Sequence, residues 1–257
     1  MAARKALNGK TYKAKIIVVA ALAATVAQAE FKIDRSVLNE AYWKLWNDKV
    51  QAKIDADIEK YRKADGAFAL EGAPDGAEVR VEQVAHAFQF GSHIFHAKHA
   101  RLIAAGEPCI ANGTSWAPED QIAMLRKLDT IGRPIHLSEI TIPAFDDSPK
   151  GWAQQAQLAR DNYRLWFSWP TIYRITWWNL VDYTYHKESL ASGLYTKDMK
   201  KKPVYHALDN LINHEWKTTT TAKASAGKVS FRGFRGRYRL AWRDAEGKER
   251  AKFVELK

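Results

Sequence analysis

One acid and two indoles stand out in this 257-residue sequence. The stretch RPIHLSE (133–139) is a short lead-in ending in Ser138 and Glu139, and ITWWNLVD (175–182) carries Trp177, Trp178 and Asp182. A carboxylate beside indole rings suits sugar chemistry: the ring face lies on the indole and the carboxylate attacks the anomeric carbon. The same residues have a plainer use, with Glu139 pairing a base near a strand end and the tryptophans filling a core. His136 lies three residues before Glu139, and strand alternation puts it on the opposite face, in a structural position. His86, His93, His96 and His99 fall close together. Their spacing fits a strand followed by a loop rather than one helical face, and no carboxylate is interleaved, which argues against a metal site.

Placing those residues requires a scaffold, and the pattern along the chain supplies one. Residues 36–64 recur with helical spacing and stop at Gly66. Alternating stretches at 67–70 and 78–84, separated by GAPDG (72–76), predict a β-hairpin. The middle of the chain alternates strands (88–95, 109–111, 133–142, 172–181) with helices (99–105, 118–130, 151–168, 204–216), which implies a parallel sheet covered by helices. In such sheets chemistry gathers at the carboxyl ends of the strands, where Glu139 and the two tryptophans fall. Residues 228–256 alternate again around DAEG (244–247), a second hairpin signal.

Composition narrows the class. With 46% hydrophobic residues the chain is far too apolar to be disordered. Its single cysteine, Cys109, excludes a disulfide scaffold and a thiolate zinc site. The net charge of +11 is uneven: residues 1–29 hold five Lys/Arg and no acid, and 217–257 hold twelve against four acids. The body between them has 23 bases and 25 acids, so a nucleic-acid role for the whole chain loses its electrostatic support. The segment FRGFRGRYR (231–239) suits a nucleic-acid arm by composition, but its alternation equally suits a solvated strand face. A basic start, an apolar run at 16–26 and an Ala-Gln-Ala end read as a signal peptide over 1–29, hence a secreted or periplasmic protein. The apolar run is short for a stable membrane span, which needs about 20 residues.

Four collinear segments carry a family resemblance. GRPIHLSEITIP (132–143) resembles the nucleophile strand of glycoside hydrolase family 10, the retaining endo-1,4-beta-xylanases. YRITWWNLVDY (173–183) is similar to that family's last barrel strand, GLYTKDMKKKPVYHALDNLINHEWKT (193–218) to its closing helix, and FRGFRGRY (231–238) to the β tail that often follows. The resemblance implies Glu139 as catalytic nucleophile, Trp177, Trp178 and Asp182 at the substrate, and no cofactor or metal. It implies a fold of the α/β class: an incomplete TIM (β/α) barrel of about four βα units over 86–216. A helix and β-hairpin (30–85) precede this barrel and a basic β tail (217–257) follows it.

The length between those segments holds fewer strands than the family needs. A complete barrel takes roughly 250 residues before extensions, and the family's Trp-x-x-Asn-Glu acid/base segment does not occur here. Asn39-Glu40 lies before the first barrel strand and is set aside as its substitute; Asp182, then Glu119 and Asp120, come next. The expected function is therefore a secreted glycoside hydrolase acting on xylan or a related plant polysaccharide. The alternatives are a non-catalytic carbohydrate-binding relative or a fragment of a longer xylanase. Open sheet edges in a shortened barrel also predict self-association.

Overall fold

The computed structural model describes residues 34–92, 117–183 and 191–257. The leader, the elements expected at 99–105 and 109–111, and His93, His96, His99 and Cys109 lie outside the described residues.

A 3-10 turn (Arg35–Val37) leads into α1 (Glu40–Leu45). Where the sequence predicts one helix over 36–64, the structure divides it. Asn47 is extended and its side chain accepts from the Val50 N–H, which starts α2 (Asp48–Arg62). An Asn cap of this kind is worth about 1 kcal/mol. Lys63 is already extended and opens β1 (Lys63–Ala69). The order continues with β2 (Glu78–His86), β3 (Gln89–Ser92), α3 (Pro118–Asp129), β4 (Ile135–Ile140), α4 (Pro149–Ser168) and β5 (Ile172–Trp177). Then come α5 (Pro203–Asn210), a π turn at Leu211–Glu215, and β6 (Thr219–Lys223), β7 (Lys228–Phe234), β8 (Gly236–Arg243) and β9 (Glu249–Leu256).

The strands form a parallel sheet in the order β3-β5-β4, an antiparallel sheet in the order β6-β2-β8-β9, and the antiparallel pair β1-β7. This corrects the expected incomplete TIM barrel. Three parallel strands are present among the described residues, and the largest sheet is antiparallel. The expected N-terminal hairpin is replaced as well: β1 runs against β7 from Lys63↔Phe234 to Ala69↔Lys228, and β2 pairs with β6 and β8. Burial is the reason. Val79 and Val81 on one face of β2 sit at 0% exposure, packed with Leu70, Val229, Tyr238, Leu240 and Val254. An isolated hairpin offers no such cover. Gly72 and Gly76, at φ +68° and +81°, do make a turn, but it carries the chain from one sheet to the other. The 244–247 turn joins β8 to β9, its Asp244 carboxylate accepting from the N–H groups of Glu246 and Lys248.

The second core lies between the helices and one face of the parallel sheet. It contains Tyr42, Trp46, Ile54, Ile58, Leu158, Phe167, Ile175, Trp177, Leu211 and Trp216. At its centre α4 is buried around nearly its whole circumference. Ser148 caps it by accepting from the Gly151 N–H, with Pro149 in the first turn. Its buried Asp161 accepts from Tyr42 Oη at 2.6 Å, Gln157 at 2.9 Å and Gln51 at 3.2 Å, which pins α1 and α2 to α4. Burial pushes the Asp161 carboxyl up, although those donors pull the other way. At the far end Arg62 donates to the carbonyls of Phe167, Trp169 and, at 2.8 Å, Ile172. It thereby satisfies the Phe167 carbonyl in the last turn of α4, joins the Ile172 N–H on the Trp169 carbonyl, and fixes where β5 begins. Among the described residues no helix is long and apolar enough to cross a membrane.

Candidate functional site

β4 and β5 lie side by side and parallel, and their register contains the feature that shapes the site. Leu137 faces Ile175 and Ile140 faces Trp177, so Ser138 and Glu139 together stand opposite Thr176. Two residues against one is a β-bulge, which turns side chains that strict alternation would send elsewhere. Leu137 and Ile140, three apart, therefore both pack on the core, while Ser138 and Glu139 are both exposed. The alternation that separated His136 from Glu139 no longer holds. His136 Nε2 and the Thr176 hydroxyl share a 2.8 Å hydrogen bond on the sheet face away from that core.

Glu139 thus sits in solvent near the carboxyl end of β4, with no hydrogen-bond or ion-pair partner among the described residues. One residue on, the Ile140 carbonyl accepts from the Trp178 backbone N–H at 2.8 Å, which ties the two strand ends together. Trp178 is partly exposed.

The other two expected residues have a different environment. Trp177 is 1% exposed and belongs to the core; its Nε1 donates to the carbonyls of Asn179 (2.8 Å) and Ser192 (3.2 Å). Asp182 is 2% exposed and accepts from the Gly193 N–H at 2.6 Å and from Lys202 Nζ at 3.0 Å. Lys202 is wholly buried and also donates to the Ala191 carbonyl at 2.9 Å. Burial pushes the Asp182 carboxyl up and the Lys202 amine down, each partly restored by the other. With the Asn179 amide donating to Ser192 Oγ at 2.8 Å, these groups stitch residues 178–183 to 191–202. Gly193 is part of the stitch: a Cβ there would lie 2.4 Å from the Asp182 nitrogen.

The acids nearest in sequence to the strand tips are also engaged. Asp146 accepts from the Ser148 N–H at 3.0 Å, and Asp147 accepts from Trp152 Nε1 at 2.9 Å. Of the acids at the ends of β4 and β5, Glu139 alone has no partner among the described residues, so those strand ends supply a nucleophile or a hydrogen-bond acceptor; Glu119 and Asp120, the other acids considered, lie exposed in the first turn of α3. His86, from the histidine group, bonds the Trp216 carbonyl, and its ring pKa is lowered by burial. Among the described residues no group of three or more His, Cys, Asp or Glu could hold a metal.

Sequence reasoning missed Lys202 and Arg174. Lys202 was visible only as the last base before Pro203. Arg174 is a polar residue inside an apolar strand, and its Nε is buried without a hydrogen-bond partner, as is Ser92 Oγ. The bulge itself had a legible sign, since Leu137-Ser-Glu-Ile140 spaces its apolar residues by three where a regular strand spaces them by two.

No family model matches the chain. No curated protein matches it either. Among solved structures it is similar to xylanase 10B from Thermotoga petrophila RKU-1 in complex with xylobiose, at 14% identity and a TM-score of 0.35. The likeness covers 50% of this chain and 35% of that one, so the chain spans about a third of the enzyme's length. A similarity of this size fixes neither fold nor function.

Proposed function

We propose that the chain is a carbohydrate-active protein of glycoside hydrolase type, with Glu139 as nucleophile toward xylan or a related β-1,4-linked polysaccharide and Trp178 beside the sugar. The observation that carries this reading is the bulge, which leaves Glu139 exposed and unpartnered at a strand end tied to Trp178. The resemblance of GRPIHLSEITIP to a retaining nucleophile strand supports the same role. The signal-like leader supports action outside the cytoplasm.

Chemistry limits the rate. A carboxylate can attack an anomeric carbon only as fast as the departing oxygen is stabilised, and a sugar alkoxide needs a proton. General acid assistance is worth about 10²–10⁴-fold, and Asp146, Asp147 and Asp182 are all held by other groups. That engagement favours a second reading, in which the site binds polysaccharide without cleaving it.

An activated substrate separates the two. In a dinitrophenyl 2-deoxy-2-fluoro-xylobioside the phenolate leaves without protonation, so the Glu139 oxygen forms the ester and dinitrophenolate departs. Intact-mass spectrometry is expected to show one glycosyl adduct, mapped to Glu139 and absent in Glu139→Gln. Xylo-oligosaccharide binding with no adduct establishes the binding-only reading. Absence of both adduct and binding refutes both readings.

A further inference from the structure

The outer face of the antiparallel sheet carries a feature that the Glu139 site does not use. Because Val79 and Val81 point inward, Glu78, Arg80 and Glu82 point outward. By the same alternation β8 turns Arg239, Ala241 and Arg243 outward, while Tyr238, Leu240 and Trp242 fill the core. The result is a groove of about 910 Å³ running across β2, β8 and β9. Its lining includes small residues, Ala77, Ala241 and Ala251, with arginines rising around them.

Two of those arginines are unsatisfied. Arg80 faces Ala241 and Thr221 in the strand register, and Arg239 faces Glu82 and Phe253. Neither makes a hydrogen bond or ion pair among the described residues. They are diagonal neighbours on one sheet face, about 7–8 Å apart by sheet geometry, and although Glu82 stands across the strand from Arg239, no ion pair forms between them. Arg243 and Arg250, by contrast, are held by Glu249 at 3.5 Å and Asp244 at 2.8 Å.

The geometry points to a second binding site here, for a uronic-acid-bearing polysaccharide, with Arg80 and Arg239 taking the sugar carboxylate. The charge pattern selects this partner over a nucleic acid. Glu78 and Glu249 also line the groove, and a strand of phosphates would meet them at every turn of its backbone. A chain with sparse carboxylates and many hydroxyls finds acceptors in the glutamates and donors in the arginines. Among the described residues the aromatics at the groove offer a base little to stack on: Trp242, which lines it, is 6% exposed, and Phe253 is covered by the Arg237 guanidinium at 4.7 Å. This inference rests on the polysaccharide reading above for the kind of chain bound, and adds the substituent that the sheet selects.

The test compares glucuronic-acid-substituted xylan with the same xylan after carboxyl reduction, by affinity electrophoresis and calorimetry. The full chain is expected to bind the acidic form about tenfold more tightly, the size of a charged hydrogen-bond pair. The variant R80Q/R239Q, with an unchanged melting temperature, is expected to bind both forms equally, and Glu139→Gln to keep the preference. Equal binding of both xylans by the unaltered chain overturns the proposal, as does a preference that survives in R80Q/R239Q. Displacement of acidic xylan by single-stranded RNA of matched charge overturns it in favour of a nucleic-acid surface. Loss of the fluoro-sugar adduct with the preference intact removes only the Glu139 reading; loss of the preference with the adduct intact removes only this one.

Discussion

Replacing Lys202 with Met tests whether the loops at the site are held as described. Lys202 and Asp182 have side-chain exposures of 0% and 2% and lie 3.0 Å apart, so the substitution leaves a carboxylate sealed in the protein without its cation. It also strips the donor from the Ala191 carbonyl. Breaking a buried pair from one side costs about 3–5 kcal/mol, which corresponds to a fall of about 6–20 °C in melting temperature for a domain of this size. The loss carries a pH signature. Asp182 already titrates above its ordinary 3.8, and without Lys202 it rises further. Above that raised pKa the charged acid bears the full penalty. As pH falls through it, protonation in the fold relieves the penalty, which is gone below 3.8. The deficit against the unaltered protein is therefore largest at neutral pH and shrinks in acid. D182N/K202M removes both charges and is expected to recover part of the loss, giving a coupling well above 0.5 kcal/mol. Thermal melts across pH measure the parent, K202M, D182N and D182N/K202M, the four proteins that the coupling requires. A K202M variant within about 1 kcal/mol of the parent, or a deficit that grows in acid, refutes the reasoning.

Three further outcomes follow from particular contacts. Arg62→Ala uncaps the carbonyls of Phe167, Trp169 and Ile172 together, and a loss of about 2–4 kcal/mol is expected in urea unfolding. Gly151→Ala puts a Cβ 2.4 Å from the Asp146 carbonyl; the cost is about 1–3 kcal/mol, read as a lower melting temperature with α4 still formed by circular dichroism. His86 is held below its ordinary 6.5 first by burial, with Arg62 and Lys217 adding to it and the Trp216 carbonyl opposing. The unfolded chain thus binds the proton more readily, so stability falls as pH drops through 6.5, and His86→Gln flattens that slope.

What the sequence made legible differs between the two cores. The long helix at 149–168 is announced by its periodicity, by Pro149 and by Pro170 beyond its end. Its start, like that of α2, lies in a capping side chain that local pattern can locate. Strand pairing is another matter. Alternation at 67–70 marks a strand with two faces, but neither its extension back to Lys63 nor its partner at 228–234, so the hairpin expected with 78–84 does not form. Strand–helix alternation in the middle of the chain implies a parallel sheet, and β3, β5 and β4 form one; the barrel was implied by the family resemblance alone, and three parallel strands have several ways to be covered. At the site, Trp177 and Trp178 look equivalent in sequence. The buried one is decided by acceptors at positions 179 and 192, which no local spacing reveals. Asp182 is decided in the same way by a lysine twenty positions later.

The pairing of β1 and β2 with β7 and β8 has a consequence for synthesis. Val81 lies opposite Leu240, about 160 positions further on, and at roughly 5–20 residues per second the ribosome needs about ten to thirty seconds to deliver that partner. Until then the nascent polypeptide displays a greasy, half-finished ladder, with nothing of its own to cover it. A chain wired this way is a natural client for holding chaperones during translation, and its yield in a heterologous host should respond to their supply more than to codon choice.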